Sequence, residues 1–136
     1  MSAVAEGPCP CGRLDVRRRP LPFAGCCGIY LADSEGRPAP DAESLMRSRY
    51  CAFVLEDAAY LLATWHREQR PPGVEFEPGL KWLGLEVREH RVIDADHAEV
   101  EFIARSRLAG RAHRLHERSR FVREQGRWYY LEGTIA

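Results

Sequence analysis

Hydrophobic positions fall into two regimes along the chain. Between residues 41 and 66 they recur at helical spacing: Leu45, Met46, Tyr50, Phe53 and Val54, then Tyr60, Leu61, Leu62 and Trp65. Each set would occupy one face of a helix. Asp41, after a proline and before Ala-Glu, is a natural N-cap for the first helix. Asp57 can cap the second, which Pro71-Pro72 stops. From about Trp82 the period becomes two. Leu83, Leu85 and Val87 alternate with Gly84, Glu86 and Arg88, as in a strand with one buried face. Ala98, Val100, Phe102 and Ala104 make a second run, Leu115, Ser119 and Phe121 a third, and Trp128 to Ile135 a fourth. Asp94-Ala95-Asp96, Ala109-Gly110-Arg111 and Glu124-Gln125-Gly126-Arg127 supply the hairpin turns.

Helices followed by a meander of long strands predict an α+β fold, with helices packed on one face of a bent antiparallel sheet. Residues 1–30 are rich in Pro, Gly and Arg and show no sustained period, so a metal would have to order them. Residues 31–40 read as a connector, which divides the chain at 30/31.

Charge modifies this picture little. Lys+Arg and Asp+Glu balance at 20 each, so no net field favours nucleic acid or anionic lipid. Arginines at 105, 107, 111, 114, 118 and 120 interleave with Glu99, Glu101 and Glu124, which predicts a salt-bridged face rather than a nucleic-acid platform. Met1 to Gly7 lacks the basic and apolar regions of a leader, and no apolar run is long enough to cross a bilayer. A cytoplasmic location is the default expectation. In that reducing compartment paired cysteines hold metal more often than they form disulfides.

The cysteines are the strongest chemical signal. Four of the five fall in two tight pairs, Cys9-Pro10-Cys11 and Cys26-Cys27, with a basic loop between them. Two pairs of soft thiolates closed by a loop suit tetrahedral Zn²⁺. A filled site of four thiolates carries a net charge of roughly −2 and keeps no open position for water, so it would be structural. Arg13 and Arg17 to Arg19 could offset that charge. Cys51, alone within the first helix, reads as a small buried hydrophobe. No Cys-x-x-Cys is present, which speaks against thiol redox chemistry.

These residues together resemble the YchJ-like family of small bacterial proteins. The resemblance rests on Cys9-Pro10-Cys11-Gly12, Cys26-Cys27, Leu45-Met46-Arg47-Ser48-Arg49-Tyr50-Cys51-Ala52-Phe53, Tyr60-Leu61 and Thr64-Trp65-His66. It continues through Trp82-Leu83-Gly84-Leu85, Glu117-Arg118-Ser119-Arg120-Phe121, Gly126-Arg127-Trp128-Tyr129-Tyr130 and Gly133-Thr134. It implies a zinc knuckle over residues 1–30, like the SEC-C motif of the SecA translocation ATPase. It further implies a cone over residues 31–136 like nuclear transport factor 2, a bent sheet wrapped round helices that often encloses a pocket. The loop from Gly12 to Gly25 is longer than the family's, and the sequence carries one copy of the motif where some relatives carry a second at the C-terminus. Such cones often dimerise through the sheet, so a homodimer is one expectation.

The pocket candidates are Trp65, His66, Glu117, Arg47 and Arg49. Trp65-His66 would close the second helix, where His66 could meet a ligand, act as an acid or base, or cap the helix against its dipole. Glu117 breaks the apolar register of the third strand. It would either project into the cone or pair with Arg47 or Arg49 on the facing helix. Two functions follow as expectations: a zinc-dependent interaction or adaptor module that docks a partner protein through the knuckle, or a small-molecule binder or enzyme using the cone. No nucleophile–base pair or phosphate loop can be read in the sequence.

Overall fold

The structure, a computed structural model, describes residues 6–136. Met1 to Ala5, where the sequence reads as lacking the regions of a leader, lie outside the described residues. After a 3₁₀ turn at Phe23–Gly25 come α1 (Cys27–Ala32), α2 (Ala42–Leu55) and α3 (Ala58–Ala63). Four strands follow, β1 (Lys81–Asp94), β2 (His97–Leu108), β3 (Arg111–Glu124) and β4 (Arg127–Ile135). They form one antiparallel sheet in the order β1-β2-β3-β4. The fold is α+β, with α2 lying across one face of the sheet. Among the described residues no helix is long and apolar enough to cross a membrane.

Local chemistry explains the boundaries. Asp41 accepts a hydrogen bond from the Ser44 backbone N–H at 2.7 Å and caps α2, and Asp57 does the same for Tyr60 at 3.0 Å to start α3. The β2–β3 and β3–β4 turns place Ala109-Gly110 and Gln125-Gly126 at positive φ, the pairing that type I′ hairpins require. Leu45, Met46 and Tyr50 of α2 pack against Val100, Phe102, Ala104 and Phe121 from the inner face of the sheet.

Two sequence readings change. The alternation in β1 is interrupted: Trp82 pairs with Ser106 and Gly84 with Arg105, so Leu83 is an extra, bulged residue and is exposed. A second irregularity at Arg88 re-phases the strand. As a result Trp82, Leu85, Val87 and His90 share the inner face, while Glu86 turns outward to Arg88 and Arg105. Such bulges also bend a strand, here towards a cone. The second helix stops earlier than its apolar period suggests. Thr64 caps it, and the backbone beyond is captured by β4: Tyr130 N–H donates to Thr64 O, and His66 N–H donates to Tyr130 O, both at 2.8 Å. Trp65 and His66 are therefore loop residues alongside the sheet rather than the end of a helix.

The outer sheet face is charged and internally paired. Arg118 reaches Glu89, Glu99 and Glu101 at 2.7–3.1 Å, and His116 bonds Glu101 at 2.7 Å.

Candidate metal centre and cone cavity

The long loop between the cysteine pairs is an ordered hairpin. Phe23 N–H donates to Gly7 O, Cys9 N–H to Leu21 O, Leu21 N–H to Arg13 O and Asp15 N–H to Arg19 O, at 2.8–3.1 Å. Pro8 and Pro22, and Leu14 and Pro20, are bridge partners in this antiparallel ladder. Asp15 closes the tip by accepting from the backbone N–H groups of Arg17 and Arg19. At its base Cys9-Pro10-Cys11-Gly12 forms a tight turn, Gly12 N–H to Cys9 O at 3.1 Å, with Gly12 at φ 76°. The extra residues thus fold back on themselves, and in any case loop length weighs only logarithmically on closure.

This hairpin and α1 bring Cys9, Cys11, Cys26 and Cys27 together. All four are buried, and their sulfurs lie within 4.8 Å of one another. Cys11 Sγ is 3.7 Å from Cys26 Sγ, and Cys26 Sγ is 4.0 Å from Cys27 Sγ. A tetrahedron of sulfurs with metal–sulfur bonds of about 2.3 Å has edges of about 3.8 Å, so the donor set fits a Cys₄ metal. Every described cysteine is a free thiol. Shared protons already favour a thiolate: hydrogen bonds from Cys27, Cys51 and Cys9 hold Cys11 far below the ordinary thiol range, and the same contact pushes Cys27 far above it.

Cys51 is the residue that sequence reasoning missed. It is buried, as expected of a helical cysteine, but its Sγ also lies 3.5 Å from Cys9 Sγ. Its separation of 42 residues from Cys9 leaves no spacing signal.

Arg47 also belongs here. Its Nη1 donates to Cys11 O at 2.9 Å and its Nε to Glu43 Oε2 at 2.8 Å. Burial opposes its charge, but the bond to Glu43 and the nearby Cys11 raise its pKa above the ordinary value. Arg13 completes the link, with Nη1 on Ser44 Oγ at 2.9 Å. Arg17 to Arg19, expected to neutralise the centre, are exposed around the hairpin tip.

A cavity of about 290 Å³ opens between α2, the loop after α3 and the inner sheet face. Three of the sequence candidates, Arg49, Trp65 and Glu117, line it. Arg47 does not, because Glu43 and Cys11 hold it at the thiol cluster. His66 does not either. It is 3% exposed and turned to the outer end of β3, with Nε2 3.0 Å from Glu124 Oε1 and Nδ1 accepting from the Glu68 N–H. Glu117 forms neither expected ion pair: among the described residues no arginine lies within 4.0 Å of it, and its Oε2 accepts from Ser119 Oγ at 2.8 Å. It lies over Gly133, where a Cβ would come within 2.5 Å of the Glu117 carboxyl carbon.

A helix-packed bent sheet fused to a buried four-thiol cluster defines a class of cone proteins carrying a cysteine knuckle. The chain belongs to the YchJ family: the family model described as "YchJ, middle NTF2-like domain" matches residues 41–133. A UPF0225 protein of Polaromonas sp. is 70% identical over 126 residues, covering 92% of this chain and 91% of that one. One of Bordetella pertussis is 53% identical over 130 residues, covering 93% and 92%. Among solved structures, a SEC-C motif containing protein from Rhodopseudomonas palustris superposes with TM-score 0.78 at 34% identity, covering 95% of this chain and 98% of that one. Another from Psychrobacter arcticus gives TM-score 0.80 at 29% identity, covering 99% and 86%.

Proposed function

We propose that this protein is a zinc-stabilised interaction module. Zn²⁺ held by Cys9, Cys11, Cys26 and Cys27 plays a structural part, and the hairpin it anchors docks a partner protein. The carrying observation is the hairpin tip. Val16 is 100% exposed and Leu14 50% exposed on an ordered turn. Beside them Arg17, Arg18 and Arg19 are exposed with no ion pair among the described residues. Unpaired guanidinium groups around apolar side chains suit an acidic segment with apolar anchors. That the solved relatives are named for a SEC-C motif agrees with this reading.

The test is photo-crosslinking from a benzoylphenylalanine at position 16 in the cells that make the protein. A discrete adduct that disappears on Arg17, Arg18 and Arg19→Glu, with zinc content unchanged, supports the reading. An adduct pattern indifferent to charge reversal, or no adduct, rejects it.

A second reading, a small-molecule binder using the cone, is favoured by one observation: the incomplete bonding of Arg49 in the cavity wall.

A further inference from the structure

Arg49 is 4% exposed, and burying a guanidinium calls for partners on all its donors. Only Nη1 has them: it donates to Leu61 O at 2.8 Å and to Thr64 Oγ1 at 2.7 Å. Its guanidinium carbon lies over two rings that meet edge to face, 5.0 Å from the Trp65 centroid and 4.6 Å from that of Tyr130. Among the described residues no carboxylate lies within 4.0 Å of it, and Nε and Nη2 have no hydrogen-bond partner. Neither atom is fully covered, since Trp65 Nε1 is the one completely buried polar side-chain atom left unpartnered among the described residues. The free edge of Arg49 therefore meets the cavity that Arg49 lines. Burial lowers its pKa to about 10, so it remains a cation at neutral pH.

The rest of the wall narrows what such an edge would hold. Tyr50, Phe53, Trp65, Trp82, Phe102 and Tyr130 make it aromatic. The one acid in the wall is Glu117, whose Oε2 is engaged by Ser119 and whose Oε1 has no partner among the described residues. A cation and an anion stand in one apolar space, too far apart to pair, each with unused bonding capacity. An ion pair in contact would satisfy both. Their separation leaves both for a third party.

Resting on the second reading above, we infer that the cone binds a small aromatic carboxylate. The carboxylate would take the free Nε/Nη2 edge of Arg49, the ring would lie among the aromatic side chains, and a hydroxyl or amino group at the far end would donate to Glu117. The fork of an arginine matches a carboxylate in the bidentate geometry that distinguishes it from a neutral isostere. The volume of about 290 Å³ suits a single-ring ligand, at the small end of such sites.

The experiment is heteronuclear NMR titration of the zinc-loaded full chain with benzoate, 4-hydroxybenzoate and 4-hydroxyphenylacetate, each matched with its carboxamide. Saturable shifts at the aromatic wall are expected. The hydroxylated acids should bind at least about tenfold tighter than their amides, as charge-assisted bonds to a buried arginine require. Glu117→Gln should remove the advantage of the hydroxylated acids over benzoate without weakening benzoate, which offers position 117 no donor and meets less repulsion there. Arg49→Lys, checked for folding by its amide spectrum, should shrink the acid–amide difference several-fold, because an ammonium keeps the charge but not the bidentate fork. Equal binding of acids and amides, or no saturable shift up to about 10 mM for any acid, overturns the inference. Neither result bears on the hairpin, whose crosslinking is read independently of the cavity.

Discussion

Arg47 Nη1 donates to the carbonyl oxygen of Cys11 at 2.9 Å, while its Nε is held by Glu43 one turn away on the same helix. One side chain thus ties the backbone of a thiol ligand to the helix that forms the centre of the cone. Cys9 contacts Cys51 on that helix, and Arg13 bonds Ser44. The four cysteines also share a single hydrophobic core with Leu45, Met46, Tyr50, Phe102 and Phe121. The four-thiol cluster is consequently part of the cone's packing, and what perturbs one is felt in the other.

Replacing Arg47 tests that coupling. Arg47→Ala would strip Cys11 O of its donor and leave Glu43 with Arg13 at 3.7 Å and His90 at 3.8 Å. Outer-shell partners of metal ligands typically contribute about 10–100-fold to affinity. Zinc should bind weaker by that factor in competition with a chromophoric chelator, and unfolding stability should fall by about 2–4 kcal/mol. Arg47→Lys should recover little, because a single ammonium nitrogen does not reproduce the Nε/Nη1 spacing with which the guanidinium reaches Glu43 and Cys11 O together. Unchanged zinc affinity in both variants would show that the hydrogen bond is incidental.

Cys51 provides a different test, since five thiols crowd a site that needs four. Cys51→Ala should retain one zinc per chain, because Cys9, Cys11, Cys26 and Cys27 already lie within 4.8 Å of each other. Cys9→Ser should keep weak zinc binding, with the Cys51 sulfur, 3.5 Å from that of Cys9, taking over as ligand. The double variant Cys9→Ser/Cys51→Ala should then lose far more affinity than the two single changes combined, the non-additivity expected of residues that share a role. Metal content after dialysis reads all three. A double variant no worse than Cys9→Ser would remove Cys51 from any ligand role.

What the sequence made legible was whatever depended on neighbours along the chain. The caps at Asp41 and Asp57, the turns at Gly110 and Gly126, the strand alternation of β2 and the pairing of the cysteines all follow from local chemistry, and the structure shows each. The losses came from distant partners. The apolar period carries the second helix through Trp65, but the hydrogen bonds of Tyr130 redirect the chain at Thr64. Alternation puts Leu83 inside and Glu86 with Trp82, and the bulges in β1 reverse both. Arg47 and Arg49 looked interchangeable as ion-pair partners of Glu117. Only the assembled fold assigns Arg47 to Glu43 and leaves Arg49 and Glu117 apart.

Acid should weaken the sheet through its outer face. Hydrogen bonds from His116 and Arg118 hold the Glu101 carboxyl below its ordinary pKa, and bonds from His66 and Arg67 do so for Glu124 despite the opposing effect of desolvation. A carboxyl depressed in the folded state contributes stability that is fully present above its unfolded value, about 4.3, and is lost as pH falls through the folded value. Denaturant midpoints should therefore decline below about pH 4.3, with a shallower slope in Glu101→Gln than in the parent chain. Comparing the two chains cancels acid release of metal, which both share. Parallel slopes would mean that the Glu101 pairs, half-buried on the outer face, contribute nothing measurable.

Gly28 gives the sharpest steric test of the knuckle. It lies next to Cys27 in α1, and a Cβ there would stand 2.6 Å from Phe23 O and 2.9 Å from the Phe23 ring. The ring could swing aside. The carbonyl cannot move without opening the 3₁₀ turn, because Phe23 O accepts from Cys26 N–H at 3.0 Å and that bond aligns the second cysteine pair. Helix propensity alone would make Gly28→Ala stabilising by about 1 kcal/mol, so the steric and intrinsic effects have opposite signs. Overpacking against backbone typically costs about 1–3 kcal/mol, enough to win. Gly28→Ala should lower the melting temperature of the zinc-loaded protein and weaken zinc binding. After chelation, with the Phe23–Cys26 turn released from the metal, the same substitution should become neutral or mildly stabilising. Melting curves of both chains with and without chelator measure that reversal of sign, and a penalty that persists without metal would mean that the Phe23–Cys26 turn keeps its form on its own, without the metal.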